Sequence, residues 1–136
     1  MDSQAVVSSL WLSLLQVLGA LQVLRSPQVV IAAEEQALIA TIKLRSNMGG
    51  AEERRRIVAM EGELSDAMKR SKEAAFDGDE FGNGVCTIYM YGSSAGRLFS
   101  VASPILEKFR APVGSYVTKR YGKPGAKQER IALSEH

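Results

Sequence analysis

Residues 74–92 read AAFDGDEFGNGVCTIYMYG and have the pattern of two strands joined by a tight turn. The turn is predicted at Gly82-Asn83-Gly84, a combination typical of β-hairpins. A short strand is predicted before it over residues 75–81, and a stronger one after it over residues 85–91. In the second strand Cys86, Ile88 and Met90 alternate with Val85, Thr87, Tyr89 and Tyr91. The apolar set is expected to face the core, so the tyrosines face the other way.

Helical spacing of apolar residues appears on both sides of this hairpin. The helix before it is predicted over residues 52–71, with its apolar stripe at Ile57, Met60, Leu64, Ala67 and Met68. After the hairpin, Gly92-Ser93-Ser94 offers a cap for a second helix, whose stripe is Leu98, Val101, Ala102, Ile105, Leu106 and Phe109. Pro104 interrupts that stripe and predicts either a kink or a restart capped by Ser103.

Three further strands complete the predicted order. Residues 38–44 alternate between apolar and other side chains, residues 115–121 form a fourth strand, and residues 130–133 form a short fifth. The order is therefore β-α-β-β-α-β with an added edge strand. The predicted class is α/β of the α+β type, a ferredoxin-like sandwich preceded by an apolar N-terminal helix. Both helices are expected to cover one face of the sheet and to leave the other open.

The composition excludes several chemistries. The chain has 136 residues, 46% apolar and 24% charged, with a formal net charge of +2. These values are ordinary for a globular protein and do not require a polyanionic partner. Cys86 is the single cysteine and His136 the single histidine, so an internal disulfide, a zinc site and a histidine-based triad are not expected. We expect no cofactor.

The N-terminal segment is the least typical part of the chain. Residues 5–24, AVVSSLWLSLLQVLGALQVL, form an uncharged run that Arg25 ends. Its length suits a membrane anchor, a helix packed in an oligomer or on the sheet, or a signal peptide or wrongly assigned start. The apolar residues for such a helix are Leu10, Trp11, Leu14, Leu18 and Leu21. Residues 1–36 are thus a helix and linker, and residues 37–136 the domain. We expect a cytoplasmic protein, or a membrane-anchored one with its C-terminal domain in the cytoplasm.

The open sheet face is the predicted ligand or partner surface. The residues expected on it are Lys43, Thr87, Tyr89, Tyr91, Tyr116 and Arg120, together with Thr41 and Thr118. Tyrosine suits half-buried interfaces, which favours a second subunit or intramolecular cover. A small-molecule or peptide site is a further alternative. Tyrosines beside basic residues also occur where RNA-binding sheets stack bases, but the aromatic octamer of those modules is missing, so nucleic acid is disfavoured.

An acidic segment is the second candidate site. Asp77, Asp79 and Glu80 could hold a divalent ion or divide acid and base roles between them. The spacing does not fit a calcium loop, because Phe81 and Ile88 stand where oxygen ligands are needed. Asp and Gly are also what a solvated turn contains, and that interpretation is favoured, with no metal site assigned. The same holds for residues 91–97, where an ordinary helix cap is favoured over an anion site.

Residues 37–133 resemble a group of small, uncharacterised bacterial domains with a ferredoxin-like fold. Three segments carry the resemblance: residues 77–84, DGDEFGNG; residues 89–92, YMYG; and residues 119–122, KRYG. The resemblance implies the fold, and it implies neither an activity nor functional residues. Residues 1–36 lie outside it.

The function expected from these patterns is a non-catalytic binding or regulatory module. It is expected to form a homo-oligomer, or to bind another partner, through the open sheet face and the N-terminal helix, with membrane contact possible through residues 5–24. Burial of apolar area is the expected driving force. At about 25 cal/mol per Å², a helix face of several hundred Å² contributes more than any single surface charge pair. The alternatives are a small divalent-metal-dependent enzyme that uses Asp77, Asp79 and Glu80, and a nucleic-acid binder.

Overall fold

A computed structural model describes residues 34–72 and 74–133. Five strands and two helices follow in the order β1 (Gln36–Lys43), α1 (Ala51–Arg70), β2 (Ala74–Gly82), β3 (Val85–Gly92), α2 (Ala95–Phe109), β4 (Tyr116–Arg120) and β5 (Gln128–Ala132). The chain is therefore an α+β protein. The predicted N-terminal helix, with Leu10, Trp11, Leu14, Leu18 and Leu21, lies outside the described residues.

The five strands form one antiparallel sheet in the order β2-β3-β1-β4-β5. Strands β2 and β3 form a hairpin, whereas β1 lies between β3 and β4 and pairs with both. Each helix connects two strands that are separated in the sheet by a third. The predicted short fifth strand is present and pairs with β4, and it starts two residues earlier than expected.

The β2–β3 turn has the geometry that its residues predict. Gly82 pairs with Val85, which leaves Asn83 and Gly84 as a two-residue loop. Both have positive φ, 55° at Asn83 and 77° at Gly84, as a type I′ turn requires. Asparagine and glycine tolerate this left-handed backbone better than other residues, so this local sequence fixes the register of the hairpin.

The core lies between the sheet and the two helices. Strand β1 contributes Leu38, Ala40 and Ile42, and β3 contributes Cys86, Ile88 and Met90, each at most 1% exposed. The helices cover them with the buried residues Ile57, Met60, Leu64, Met68, Leu98, Ala102 and Leu106. Alternate strand residues therefore face the helices, in agreement with the expected pattern.

The two helix starts are capped in different ways. The Glu53 carboxylate accepts hydrogen bonds from the backbone N–H groups of Arg45 and Gly50, at 3.2 Å and 3.4 Å. At α2 the Ser94 hydroxyl accepts from the Arg97 N–H at 3.2 Å, and the Gln36 side-chain oxygen accepts from the Ala95 N–H at 2.8 Å. The predicted cap at Ser94 is thus present. The predicted restart at Ser103 is wrong, since α2 continues through Pro104 to Phe109.

Within residues 34–72 and 74–133, no helix is long and apolar enough to cross a membrane. The run predicted as a possible span, residues 5–24, is not among these residues.

Candidate functional site

The helix-free face of the sheet carries three rows of side chains that run across all five strands. The first row is Ala75, Tyr91, Ala37, Arg120 and Gln128; the second is Gly78, Tyr89, Ile39, Thr118 and Arg130; the third is Glu80, Thr87, Thr41, Tyr116 and Ala132. The three tyrosines are half-buried, and Thr118 is 7% exposed. We refer to these three rows as the open face.

The structure places the sequence-predicted surface residues on this face. Thr87, Tyr89, Tyr91, Tyr116 and Arg120 belong to the three rows, and Lys43 pairs with Val85 just beyond the third. Eight of the fifteen residues in these rows were not predicted as part of this surface, and the large or charged ones among them are Ile39, Glu80 and Arg130. Parity along β1 could have identified Ile39, because it lies between the core residues Leu38 and Ala40.

The open face is electrostatically asymmetric. On the β2 side, the Tyr89 hydroxyl donates to the Glu80 carboxylate at 3.3 Å. Burial, followed by the Glu80 charge, raises the pKa of the Tyr89 phenol above its ordinary value. On the β4–β5 side, the Arg130 guanidinium lies 3.9 Å from the centre of the Tyr116 ring, and the Arg120 Nε donates to the Gly122 carbonyl at 2.8 Å. One side is therefore acidic and the other basic.

The acidic segment does not converge into one site. The register of β2 shifts between Phe76 and Gly78, so that Asp77 is an extra, unpaired residue. Beyond this bulge Asp79 pairs with the core residue Ile88, whereas Glu80 pairs with Thr87 of the open face. Asp79 and Glu80 thus lie on opposite faces of the sheet. Among the described residues no group of three or more His, Cys, Asp or Glu side chains could hold a metal ion. The cluster of Asp77, Asp79 and Glu80 is not formed.

The bulge brings Asp79 to a buried carboxyl group on helix α1. Glu61 is 7% exposed, and its side chain is hydrogen-bonded to that of Asp79. Burial, the hydrogen bond and the Asp79 charge raise the pKa of Glu61 from 4.5 to about 8. The protonated Glu61 carboxyl therefore donates to the Asp79 carboxylate. Sequence reasoning missed Glu61, although it lies four residues after Ile57 and three before Leu64, at the spacing of the core stripe.

The carboxyl pair lies at the wall of a shallow groove between α1 and β2. The groove has a volume of about 430 Å³ and is lined by Val58, Glu61, Gly62, Ser65, Phe76, Gly78 and Asp79. Cys86 is buried nearby, and its thiol pKa is raised to about 12, mainly by burial and further by the charges of Glu61 and Asp79. Arg54 acts in the opposite direction on this thiol. A thiol in this state is protonated and unreactive at neutral pH.

The loop before α2 is an ordinary cap, as the sequence favours. The Ser94 hydroxyl and the Gln36 side-chain oxygen accept from the N–H groups of Arg97 and Ala95. These N–H groups are therefore not available to an anion.

No protein-family model matches the chain, and neither a curated protein nor a solved structure matches it.

Proposed function

We propose that the chain is a non-catalytic binding module that self-associates through the open face of its sheet. The observation that carries this proposal is the set of half-buried aromatic and aliphatic side chains on a face opposite both described helices. Tyr89 and Ile39 lie side by side at the centre of this face, in the second row. Tyrosines gain most from burial against a partner because they combine a large apolar ring with a hydrogen-bonding tip.

A second copy of the chain is the partner that fits the charge distribution. A two-fold axis lying in the interface parallel to the strands reverses the strand order of the second copy. The β2 side of one copy then opposes the β4–β5 side of the other. Glu80 of each protomer would lie opposite Ala132 and one row from Arg130 on the same strand of its partner, and Ile39 of the two copies would meet at the axis.

The size of the open face sets the expected strength of association. Strands about 4.8 Å apart and alternate residues about 7 Å apart give a face of roughly 400 to 500 Å². A standard stable interface buries about 800 Å² on each partner. We therefore expect a reversible dimer, and the N-terminal helix is expected to add to it.

Charge reversal tests this arrangement. We expect Glu80→Arg and Arg130→Glu each to raise the dimer Kd at least about tenfold, because each places like charges opposite one another. The double reversal should recover most of the loss, since it restores opposite charges across the interface. The measurement is sedimentation equilibrium of the full-length chain over a wide range of concentrations, with a dimer at twice the 14.8 kDa chain mass.

Glu107→Arg is the matched control, because Glu107 is exposed on α2, in the helical layer. This variant should dimerise like the parent. A parent chain that stays monomeric at every concentration would overturn the proposal, whether the face is free or covered by residues 1–33. Additive losses in the double reversal would contradict the two-fold arrangement.

We also propose that residues 36–133 form a ferredoxin-like domain with β5 as an added edge strand. The strand order β2-β3-β1-β4 and the two helices that connect non-adjacent strands support this assignment. The nucleic-acid alternative stays a prediction. It requires salt-dependent binding that Tyr89→Ala weakens.

A further inference from the structure

Strand β2 is an edge strand that contacts two other elements, strand β3 and helix α1. It pairs with β3 on one side, and within the described residues no strand pairs with its other side. On the helix face it supports α1 through Phe76, Asp79 and Phe81, whose neighbours across β3 are core residues. The Glu61–Asp79 pair is a polar contact between this edge strand and α1.

The pair is built by local geometry. Glu61 is held beneath α1 by its position in the buried stripe between Ile57 and Leu64. Asp79 reaches it only because the bulge at Asp77 and Gly78 turns Asp79 to the helix face; Gly78 has a φ of 137°, which glycine adopts readily. A two-residue shift in either element would separate the two carboxyl groups.

We propose that the Glu61–Asp79 carboxyl pair is a proton-operated latch that holds edge strand β2 against helix α1. With a proton between them, the two groups share a hydrogen bond. Without it, the Glu61 carboxylate carries a negative charge at a buried position beside the charge of the exposed Asp79, and separation of β2 from α1 hydrates Glu61 and relieves the repulsion. This proposal does not rest on the proposed dimer, because the pair lies on the opposite face of the sheet from the open face.

The surrounding charged and titratable groups do not replace the proton. Strand β2 presents Asp79 itself, and β3 presents the Cys86 thiol, which stays protonated at neutral pH. Helix α1 also presents Arg54, whose guanidinium lies 4.6 Å from the centre of the Phe81 ring. Arg54 acts on Cys86, whereas the groups acting on Glu61 are its burial and Asp79.

Opening of the latch has two measurable consequences. When β2 leaves α1, its pairing with β3 also loosens, so the β2 amide groups lose protection from hydrogen exchange and the Cys86 thiol becomes accessible to a labelling reagent. Cys86 is the single cysteine, so its reaction reports on one position next to the pair. Linkage predicts up to about a tenfold increase in the open population for each pH unit while Glu61 is protonated in the closed state and ionised in the open one.

The test is hydrogen exchange of the full-length chain from about pH 6 to about pH 8, corrected for the intrinsic rate and followed by mass spectrometry. EDTA in every sample prevents a divalent cation from taking the place of the proton. We expect protection to fall by up to about 100-fold in peptides covering β2 and to change little in peptides covering β1 and β4. Thiol labelling of Cys86, divided by the rate for the unfolded chain at the same pH, should rise in parallel.

Glu61→Gln separates the latch from other pH effects, because its amide still donates to Asp79 and does not titrate. In this variant β2 protection should be independent of pH, whereas Glu63→Gln, at an exposed position of the same helix, should follow the parent. Equal losses of protection in β2 and β4 would overturn the proposal. So would a Glu61→Gln variant in which the protection of β2 depends on pH as it does in the parent. If Glu61→Gln does not fold, Asp79→Asn must shift the transition to lower pH, and an unchanged transition would overturn the proposal equally.

Discussion

Glu61 couples the stability of the whole domain to pH. Its pKa rises from 4.5 to about 8 in the folded chain, so the folded state binds more protons than the unfolded state between these values. The contribution of Glu61 to the free energy of unfolding is therefore fully present below about pH 4.5, falls as the pH rises, and levels off above about pH 8. We expect Glu61→Gln to gain stability relative to the parent by about 1.4 kcal/mol per pH unit across this window.

Urea unfolding of both chains at about pH 5 and about pH 8 measures this difference. Carboxyl groups outside the Glu61–Asp79 pair affect the parent and the variant alike, so the difference between the two chains isolates the pair. Glu63 forms an exposed ion pair with Lys108 at 3.0 Å, and Glu63→Gln should change stability by less than about 1 kcal/mol at either pH. A stability difference between parent and Glu61→Gln that is the same at both pH values would contradict the expected titration.

At the scale of the element, helix α2 depends on its cap. Replacement of Ser94 by Ala removes the hydroxyl that accepts from the Arg97 N–H, and the expected cost is about 1 kcal/mol. Ser93 is exposed and precedes the cap, so Ser93→Ala should leave the unfolding free energy almost unchanged. Chemical denaturation of the two variants and the parent gives the comparison. Equal effects of the two substitutions would show that the Gln36 contact at Ala95 is a sufficient cap by itself.

Regular alternation explains which elements were predictable from sequence. Along β3 the positions of Cys86, Ile88 and Met90 follow a strict period of two, and the structure buries all three. The Asn83-Gly84 turn was also predictable, because its chemistry is local. Along β2 the period breaks: Phe76 and Phe81 are five residues apart and both face the helices. Strict alternation would place Phe76 and Phe81 on opposite faces of the sheet. The extra residue at the bulge brings them to the same face, and the sequence pattern did not predict this bulge.

The same break explains why the carboxyl pair was missed. A glutamate within a charged helix is usually a surface residue, so the spacing of Glu61 to Ile57 and Leu64 was not used. Asp79 belongs to a segment that is typical of a solvated turn. Its partner lies 18 positions away on another element, and only the register of β2 shows that the two meet. Non-local polar pairs of this kind have no sequence period.

At the scale of the whole molecule, the two faces of the sheet differ in composition and charge. The open face combines tyrosines with charges at its two sides, whereas the helix face hides a protonated carboxyl group. β2 contributes to both, through Glu80 on one side and Asp79 on the other. Release of β2 would therefore remove the acidic side of the open face. The latch and the dimer are thus expected to be linked, with weaker dimerisation at high pH in the parent than in Glu61→Gln.

The balance between aromatic burial and charge pairing in the proposed dimer can be measured with two tyrosines. Tyr89 lies at the centre of the open face. The Tyr121 hydroxyl donates at 2.8 Å to Glu129, which belongs to the helix face because it pairs with Lys119, and Lys119 pairs with the core residue Leu38. We expect Tyr89→Ala to raise the dimer Kd about 30-fold, as a central interface tyrosine does, and Tyr121→Ala to change it less than about threefold. Tyr89→Phe should dimerise at least as well as the parent, because it frees Glu80 for Arg130 of the partner subunit.

Salt then separates the two contributions. Raising the salt concentration from about 0.1 M to about 1 M shortens the screening length from about 10 Å to about 3 Å. The effect of Glu80→Arg on the Kd should shrink accordingly, whereas that of Tyr89→Ala should persist, because burial of an aromatic ring does not depend on charge. Sedimentation equilibrium of the three chains at both salt concentrations gives the result. If salt abolished the effect of Tyr89→Ala, the tyrosine would act through its hydrogen bond to Glu80, and burial of the open face would not drive association.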